Sequence, residues 1–197
     1  MSTTLKDSKP QWLESAPRSN DPAGLPAWYQ EYRDAQWDKF LQLDVPSRLH
    51  EGWRFADLKK SRFEALSAPS SNTAVDSERV AAARPEKTAA HFVFVNQQLV
   101  ESHTENLPEG VICQNFTDAL ADHGDCMQAF VTADRERLDT EKFAALNASA
   151  TNYGAALCVP DGVELDQPII IQHFIDGDSA PVFPRTLFVG GANSKAT

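Results

Sequence analysis

Apolar residues in the first third of the chain recur at steps of three and four. Trp28, Tyr32, Ala35, Phe40 and Leu43, widened by Trp37 and Leu41, predict an amphipathic helix within a helical stretch spanning 26–66. Pro26 suits the first turn of that helix, where a missing N–H is no loss. Asp44-Val45-Pro46 ends it, because a residue before proline avoids the helical region. Ser47 can then cap a second short helix carrying Trp53, Phe55 and Leu58. Glu51 in its early turns and Lys59-Lys60 at its end match the helix dipole. Trp53, on the apolar face of so short a helix, is expected to anchor this region against something larger.

The flanking stretches read differently. Residues 1–24 are polar and broken by Pro10, Pro17, Pro22 and Gly24, which predicts a flexible arm. Residues 67–90, rich in Ser, Ala and Pro, predict a linker with one helical turn through Val80-Ala83 that Pro85 stops. From residue 91 the period shortens. Phe92-Val93-Phe94-Val95 predicts a buried strand followed by a turn at Asn96-Gln97. Thr117 or Asp118 can cap a helix running to His123, and Thr140 one over Glu141 to Ala148. Ala155-Val159, Ile169-Phe174 and Thr186-Val189 then read as strands, punctuated by Asp161-Gly162, Asp176-Gly177-Asp178 and Gly190-Gly191. The pattern is α+β, with helices first and sheet afterwards. A sandwich, a hairpin meander and a β-helix all satisfy the strand rhythm.

Composition narrows the function classes. A formal net charge of -10 without a basic stripe opposes binding to nucleic acid. No segment approaches the roughly 18 apolar residues of a membrane span, and the N-terminal stretch lacks the apolar core of a secretory signal, so a cytoplasmic protein with no membrane partner is expected. Cys113, Cys126 and Cys158 are odd in number and widely spaced, which is no disulfide framework and fits a reducing compartment.

Candidate chemistry is sparse. His123 and Cys126 form an H-x-x-C pair flanked by Asp122 and Asp125, but a metal needs further ligands at workable spacing, so a water-exposed helix end is the simpler reading. Cys158, in an apolar run before Pro160, reads as a small buried hydrophobe. His50 and Glu51 are helix neighbours that do not face each other. His173 reads as an alternate-face strand residue; His91 and His103 belong to no constellation. Gly190-Gly191 is followed by no Walker-type lysine, there is no G-x-S-x-G elbow, and Asp134-Arg135-Glu136-Arg137 reads as a solvated mixed-charge run.

Four ordered stretches carry a resemblance. The first runs from Pro46 to Leu58 and includes Arg48, Glu51, Trp53, Arg54, Asp57 and Leu58. The second joins Phe92-Val93-Phe94-Val95-Asn96, Pro108-Glu109-Gly110-Val111 and Asp118-Ala119-Leu120. The third runs through Phe143 to Asn147, Gly154, Val159-Pro160-Asp161-Gly162-Val163 and Pro168-Ile169. The fourth is Pro184-Arg185 through Gly191-Ala192-Asn193. Together, over about residues 26–197, they resemble the SufB/SufD family of iron–sulfur cluster assembly proteins, on its SufD-like side. The signature residues are Arg48, Glu51, Trp53, Arg54, Asp57, Leu58, Asn96, Asn147, Pro160, Gly162, Pro168, Pro184, Arg185 and Gly191. Gln97 departs from the pattern, since the family usually places glycine after the asparagine.

The resemblance implies an N-terminal helical region followed by the opening coils of a right-handed parallel β-helix. The expected division is 1–25 arm, 26–90 helical region and linker, 91–150 mixed strand and helix, and 151–197 the start of a β-helix core cut short. It implies a non-enzymatic scaffold subunit with SufB-like and SufC-like partners, SufC supplying ATP hydrolysis. It implies no cofactor bound by this segment, the iron–sulfur cluster being handled by the whole complex. The family's later elements, which dock SufC and build the SufB interface, are expected beyond Thr197. The rival expectations are a β-helix enzyme, such as an acyltransferase or a carbohydrate-active protein, and a standalone binding module. An open β-helix end is expected to associate or dissolve poorly.

Overall fold

The computed structural model describes residues 24–56, 77–84, 86–133, 140–175 and 181–197. The expectations for the N-terminal arm, for Asp57, Leu58, Lys59 and Lys60, for Pro85, and for the Asp134–Arg137 and Asp176–Asp178 runs lie outside the described residues.

Helix α1 spans Ala27–Gln42. Pro26 stands just ahead of it at φ -58 and its carbonyl accepts from the Tyr29 amide at 3.0 Å. The expected stripe is met at Phe40 and, half-buried, at Trp28 and Tyr32, but the buried face is broader than expected on one side and narrower on the other. Tyr29, Arg33 and Phe40 are buried, whereas Ala35 is exposed and Leu41 is 40% exposed. The stripe is rotated because two polar-tipped side chains form its centre. The Tyr29 hydroxyl donates to the Thr151 carbonyl at 3.0 Å, and Arg33 Nε to the Ser149 carbonyl at 2.9 Å. Each of these two bonds gives a buried donor an acceptor, which makes its burial tolerable.

The segment after α1 also departs from expectation. It forms a short 3-10 turn over Glu51–Trp53, preceded by His50 rather than capped by Ser47. The Ser47 amide donates to His50 Nδ1 at 3.0 Å, which ties the loop to itself. Trp53 is half-buried and packs on Phe143 with ring centroids 5.5 Å apart, while Phe55 is 89% exposed. Helix α2, Ser77–Ala82, starts three residues before the turn expected over Val80-Ala83 and is six residues long.

Among the described residues six strands follow: β1 Ala90–Val95, β2 Gln98–Thr104, β3 Ile112–Asn115, β4 Tyr153–Val159, β5 Ile169–Phe174 and β6 Pro184–Gly190. Helices α3, Phe116–Val131, and α4, Glu141–Ala150, separate β3 from β4. The result is a mixed α/β fold with two three-stranded sheets, ordered β2-β1-β5 and β3-β4-β6. Each sheet holds one antiparallel pair (β1 with β2, β3 with β4) and one parallel pair (β1 with β5, β4 with β6). The facing sides of the sheets share a core of Phe92, Phe94, Cys113, Tyr153 and Ala155. The opposite side of β4 and β6 packs on α3, with Phe116, Leu120, Met127, Ala156 and Leu187 fully or nearly buried.

Strand β1 is buried at every position, the pattern of a central strand covered on both faces. Its turn with β2 uses Asn96 at φ 55, the left-handed region that asparagine tolerates. The special backbone position is therefore 96, and Gln97 needs no glycine.

Helix α3 begins and ends elsewhere than expected. Its cap is Asn115, whose Oδ1 accepts from the amides of Thr117 and Asp118, both at 3.1 Å. It runs past His123, where φ -133 marks a kink, to Val131. Asn115→Ala should lower stability by about 1 kcal/mol, read as a reduced denaturation midpoint; an unchanged midpoint would show that the cap contributes nothing.

Candidate functional site

The chain visits the two sheets in turn. It leaves β4, crosses to the other sheet as β5, and returns as β6 beside β4. Tyr153 pairs with Pro184 and Val159 with Gly190, each 31 positions on. The same offset continues past the strands, because Glu164 bridges to Lys195 in parallel. The Gly191 amide donates to the Val159 carbonyl at 2.8 Å and the Lys195 amide to the Val163 carbonyl at 2.9 Å. Gly162 and Asn193, also 31 apart, both take left-handed backbone, at φ 70 and φ 57. One corner is thus stacked on another.

Close approach at that corner depends on small residues. A Cβ on Gly191 would fall 2.5 Å from the Asp161 nitrogen and 2.7 Å from the Pro160 carbonyl carbon. Asp161 Oδ1 accepts from the Ala192 amide at 2.7 Å, which holds the upper corner on the lower. At the other end of β4, Gly154 at φ 133 lies against the backbone of Arg185. The Arg185 guanidinium donates to the Val131 carbonyl at 2.9 Å and lies over the Phe116 ring, tying β6 to α3.

Between the two sheets is a cavity of about 240 Å3, lined by Phe92, Leu157, Ile169, Ile171 and Phe188 among others. Strands β5 and β6 each end their sheet's order, and Phe188 on β6 is 55% exposed. The arrangement presents strand edges beside an apolar interior, which suits backbone pairing and side-chain stacking.

Aromatic residues bridge the sheets near this interior. Phe94 stacks on His173 with centroids 5.2 Å apart, and Tyr153 meets both rings edge-on. Burial pushes the Tyr153 phenol up to about 12; His173 is exposed on its open side, but partial desolvation against the Phe94 and Tyr153 rings holds it below the ordinary histidine value of 6.5. His173 is therefore more easily protonated in the unfolded chain. Its contribution is full above pH 6.5 and is lost as the pH falls below that value. The melting temperature should fall across this window, and His173→Phe should remove that part of the fall; an identical profile in the variant would contradict the assignment.

Other candidates from the sequence are dispersed. His91, expected to belong to no cluster, is 3% exposed. Its Nε2 lies 2.7 Å from Gln172 Oε1, and its Nδ1 3.8 Å from Glu101, which also binds Arg84 at 2.7 Å. Gln172 Nε2 donates to the Ala83 carbonyl at 2.8 Å, so this polar cluster fastens the end of the linker to the sheet. His103 pairs with Glu105 at 3.2 Å, and His50 is engaged by Ser47. Cys126 is exposed, Cys158 half-buried and Cys113 buried, its thiol pushed up to about 11 by burial. Among the described residues, no three His, Cys, Asp or Glu side chains form a group that could hold a metal ion, and no helix is long and apolar enough to cross a membrane.

The profile of the SufBD protein N-terminal region matches residues 23–171, from α1 into β5. The chain belongs to the SufB/SufD family. It is 27% identical over 174 residues to an iron–sulfur cluster assembly SufBD family protein of Synechocystis, covering 84% of this chain and 37% of that protein. It is 23% identical over 179 residues to the iron–sulfur cluster assembly protein SufD of Bacillus subtilis, covering 87% of this chain and 40% of that protein. The chain thus spans about two fifths of the length of these curated relatives.

In this SufB/SufD chain the signature residues fall into two groups. Arg48, Glu51, Trp53 and Arg54 lie on the 3-10 loop, where Arg54 pairs with Glu51 at 3.3 Å and covers Phe55. Asn96, Pro160, Gly162, Pro168, Pro184, Arg185 and Gly191 lie at strand ends and corners, and Asn147 lies on α4 facing the start of β6. Asn147 Nδ2 donates to the Pro184 carbonyl at 3.3 Å, and the Pro168 carbonyl accepts from Ala89 at 2.9 Å. These groups set backbone path and strand register. The two sets are not brought into one cluster.

Proposed function

We propose that the protein is a SufD-like scaffold subunit of an iron–sulfur cluster assembly complex, acting in the cytoplasm with SufB-like and SufC-like partners. It is not itself an enzyme. The cluster is cargo of the whole assembly, and this segment holds no resident cofactor. The observation that carries the reading is the family match across 149 consecutive residues, 23–171, joined by two relatives both named for iron–sulfur cluster assembly.

The described segment supplies the N-terminal helical region and the opening coils of a right-handed parallel β-helix. The constant 31-position offset from Tyr153–Pro184 to Glu164–Lys195 supports this, since stacked coils repeat their register. So does the apolar space between the sheets, lined by Phe92, Ile169, Ile171 and Phe188, since coils of this kind enclose an apolar interior.

Deleting the gene should lower the activity of iron–sulfur enzymes in the host while leaving metal-independent enzymes unchanged, and the full-length gene should restore it. Normal activity of iron–sulfur enzymes in the deletion strain, under both iron limitation and oxidative stress, would reject the reading.

A further inference from the structure

The seam between α3 and β4 brings two of the cysteines level with one another. Cys158 on β4 lies between Ile112 on β3 and Val189 on β6. Strand alternation puts its side chain on the face that carries Ala156. Ala156, Leu187 and Val189 pack on α3, so Cys158 is directed at the helix. Gln114 fixes how far α3 has advanced along this face, because its Nε2 donates to Asp122 Oδ2 at 3.1 Å.

Four residues beyond Asp122, just past the kink at His123, comes Cys126. Two residues before Gln114, about 6.6 Å back along the strand, comes Ile112, the cross-strand partner of Cys158. Helix α3 follows β3 directly and folds back on it, so the two steps run in the same direction. The electrostatics agree with that placement: burial pushes the Cys158 thiol up, and Cys126 raises it further.

This turn of α3 is already irregular. The kink at His123 lies one turn before Cys126, and Cys126 Sγ donates to the His123 carbonyl at 3.0 Å. A thiol is a weak donor, so little holds the exposed sulfur in its present rotamer. Cys113 has no such route. Its side chain alternates to the other face of β3, into the core between the sheets.

We propose that Cys126 and Cys158 are a redox pair that hydrogen peroxide closes to a disulfide, locking α3 onto its sheet. The Cys126 thiolate attacks the peroxide, forming a sulfur–oxygen bond as the oxygen–oxygen bond breaks and one water leaves. The Cys158 thiolate then attacks the resulting sulfenic sulfur, forming the disulfide as the sulfur–oxygen bond breaks and a second water leaves. Two thiols and one peroxide thus yield one disulfide and two waters, and a small thiol reverses the change. Burial of Cys158 slows closure, but it also withholds thiolate stabilisation from the reduced form, so the closed pair resists reduction.

The test is mild peroxide treatment of the full-length protein, alkylation of remaining thiols, and non-reducing peptide mapping. The expected result is a Cys126–Cys158 crosslinked peptide that disappears in Cys126→Ser and in Cys158→Ser and persists in Cys113→Ser. Unfolding of the oxidised protein should shift upward by several degrees and return on reduction. Recovery of Cys126 as sulfinic acid or in an intermolecular disulfide, with Cys158 still free to be alkylated, would overturn the proposal. So would a crosslink to Cys113.

Discussion

Replacing Gly154 with alanine should abolish stable folding of the β4–β6 layer. The backbone there is at φ 133, where an L side chain is strained, and the added Cβ would lie 2.7 Å from the Arg185 carbonyl carbon and 2.9 Å from its nitrogen. Neither atom can move alone, because Gly154 and Arg185 are register partners in the parallel ladder. Strain and overpacking combine to a loss of more than about 4 kcal/mol, in the range reserved for severe core defects. Gly162 provides the contrast. It is also left-handed, at φ 70, but nothing lies within 4 Å of an added Cβ. Its counterpart on the next corner is Asn193 at φ 57, so Gly162→Asn should cost less than about 1 kcal/mol. Chemical denaturation of both variants checks the pair of expectations. Equal losses would mean that close approach to the Arg185 backbone is not what makes Gly154 necessary.

The second large effect is expected at Arg33. Its side chain is 1% exposed, donates from Nε to the Ser149 carbonyl, and lies over the Tyr29 ring at 5.8 Å. Arg33→Ala removes the donor from a buried carbonyl and leaves a cavity between α1 and α4, together worth about 3 kcal/mol or more. Arg33→Lys should recover little, because an ammonium cannot reproduce the planar guanidinium. Tyr29→Phe, which loses only the hydroxyl bond to Thr151, should cost about 1 kcal/mol. Urea midpoints would order the variants as Ala, Lys, then Phe, from least to most stable. A tolerated Arg33→Ala would show that α1 is held by its aromatic residues alone.

Arg33 also shows where hydropathy patterning misleads. The three- and four-residue steps located α1 and found Phe40 and the half-buried Trp28 and Tyr32, but counting only apolar residues included the exposed Ala35 and missed the centre of the buried face. The true face centres on an arginine and a tyrosine whose tips reach the carbonyls at the end of α4. No local rule could supply those acceptors, which lie more than a hundred residues away. Strand β2 was illegible for a related reason. Its residues are almost all exposed and mostly polar, so alternation left no signal, and pairing with β1 makes it a strand. The strands β1, β4, β5 and β6 were legible because apolar runs between turn residues survive in any sheet arrangement. Asn115 escaped notice as a cap because it closes β3 as well as opening α3.

The corner residues were legible only in part. Pro160, Gly162, Pro184, Arg185 and Gly191 could be picked out by their likeness to SufB/SufD chains, but their purpose could not. The stacked corners share a backbone conformation and almost no residue identity, so the 31-position offset is invisible as a sequence repeat. The buried His91 cluster was missed because its partners come from β2, β5 and the segment ending at Ala83, brought together only by the pairing of β1 with both β2 and β5.

The central claim, a SufD-like subunit of an iron–sulfur assembly scaffold, is tested most directly by native mass spectrometry. The full-length protein would be co-expressed with the SufB-like and SufC-like proteins of its own organism. The account predicts one assembly whose mass contains all three. A SufB–SufC assembly that forms without this protein, with the protein recovered separately in the same preparation, would contradict it.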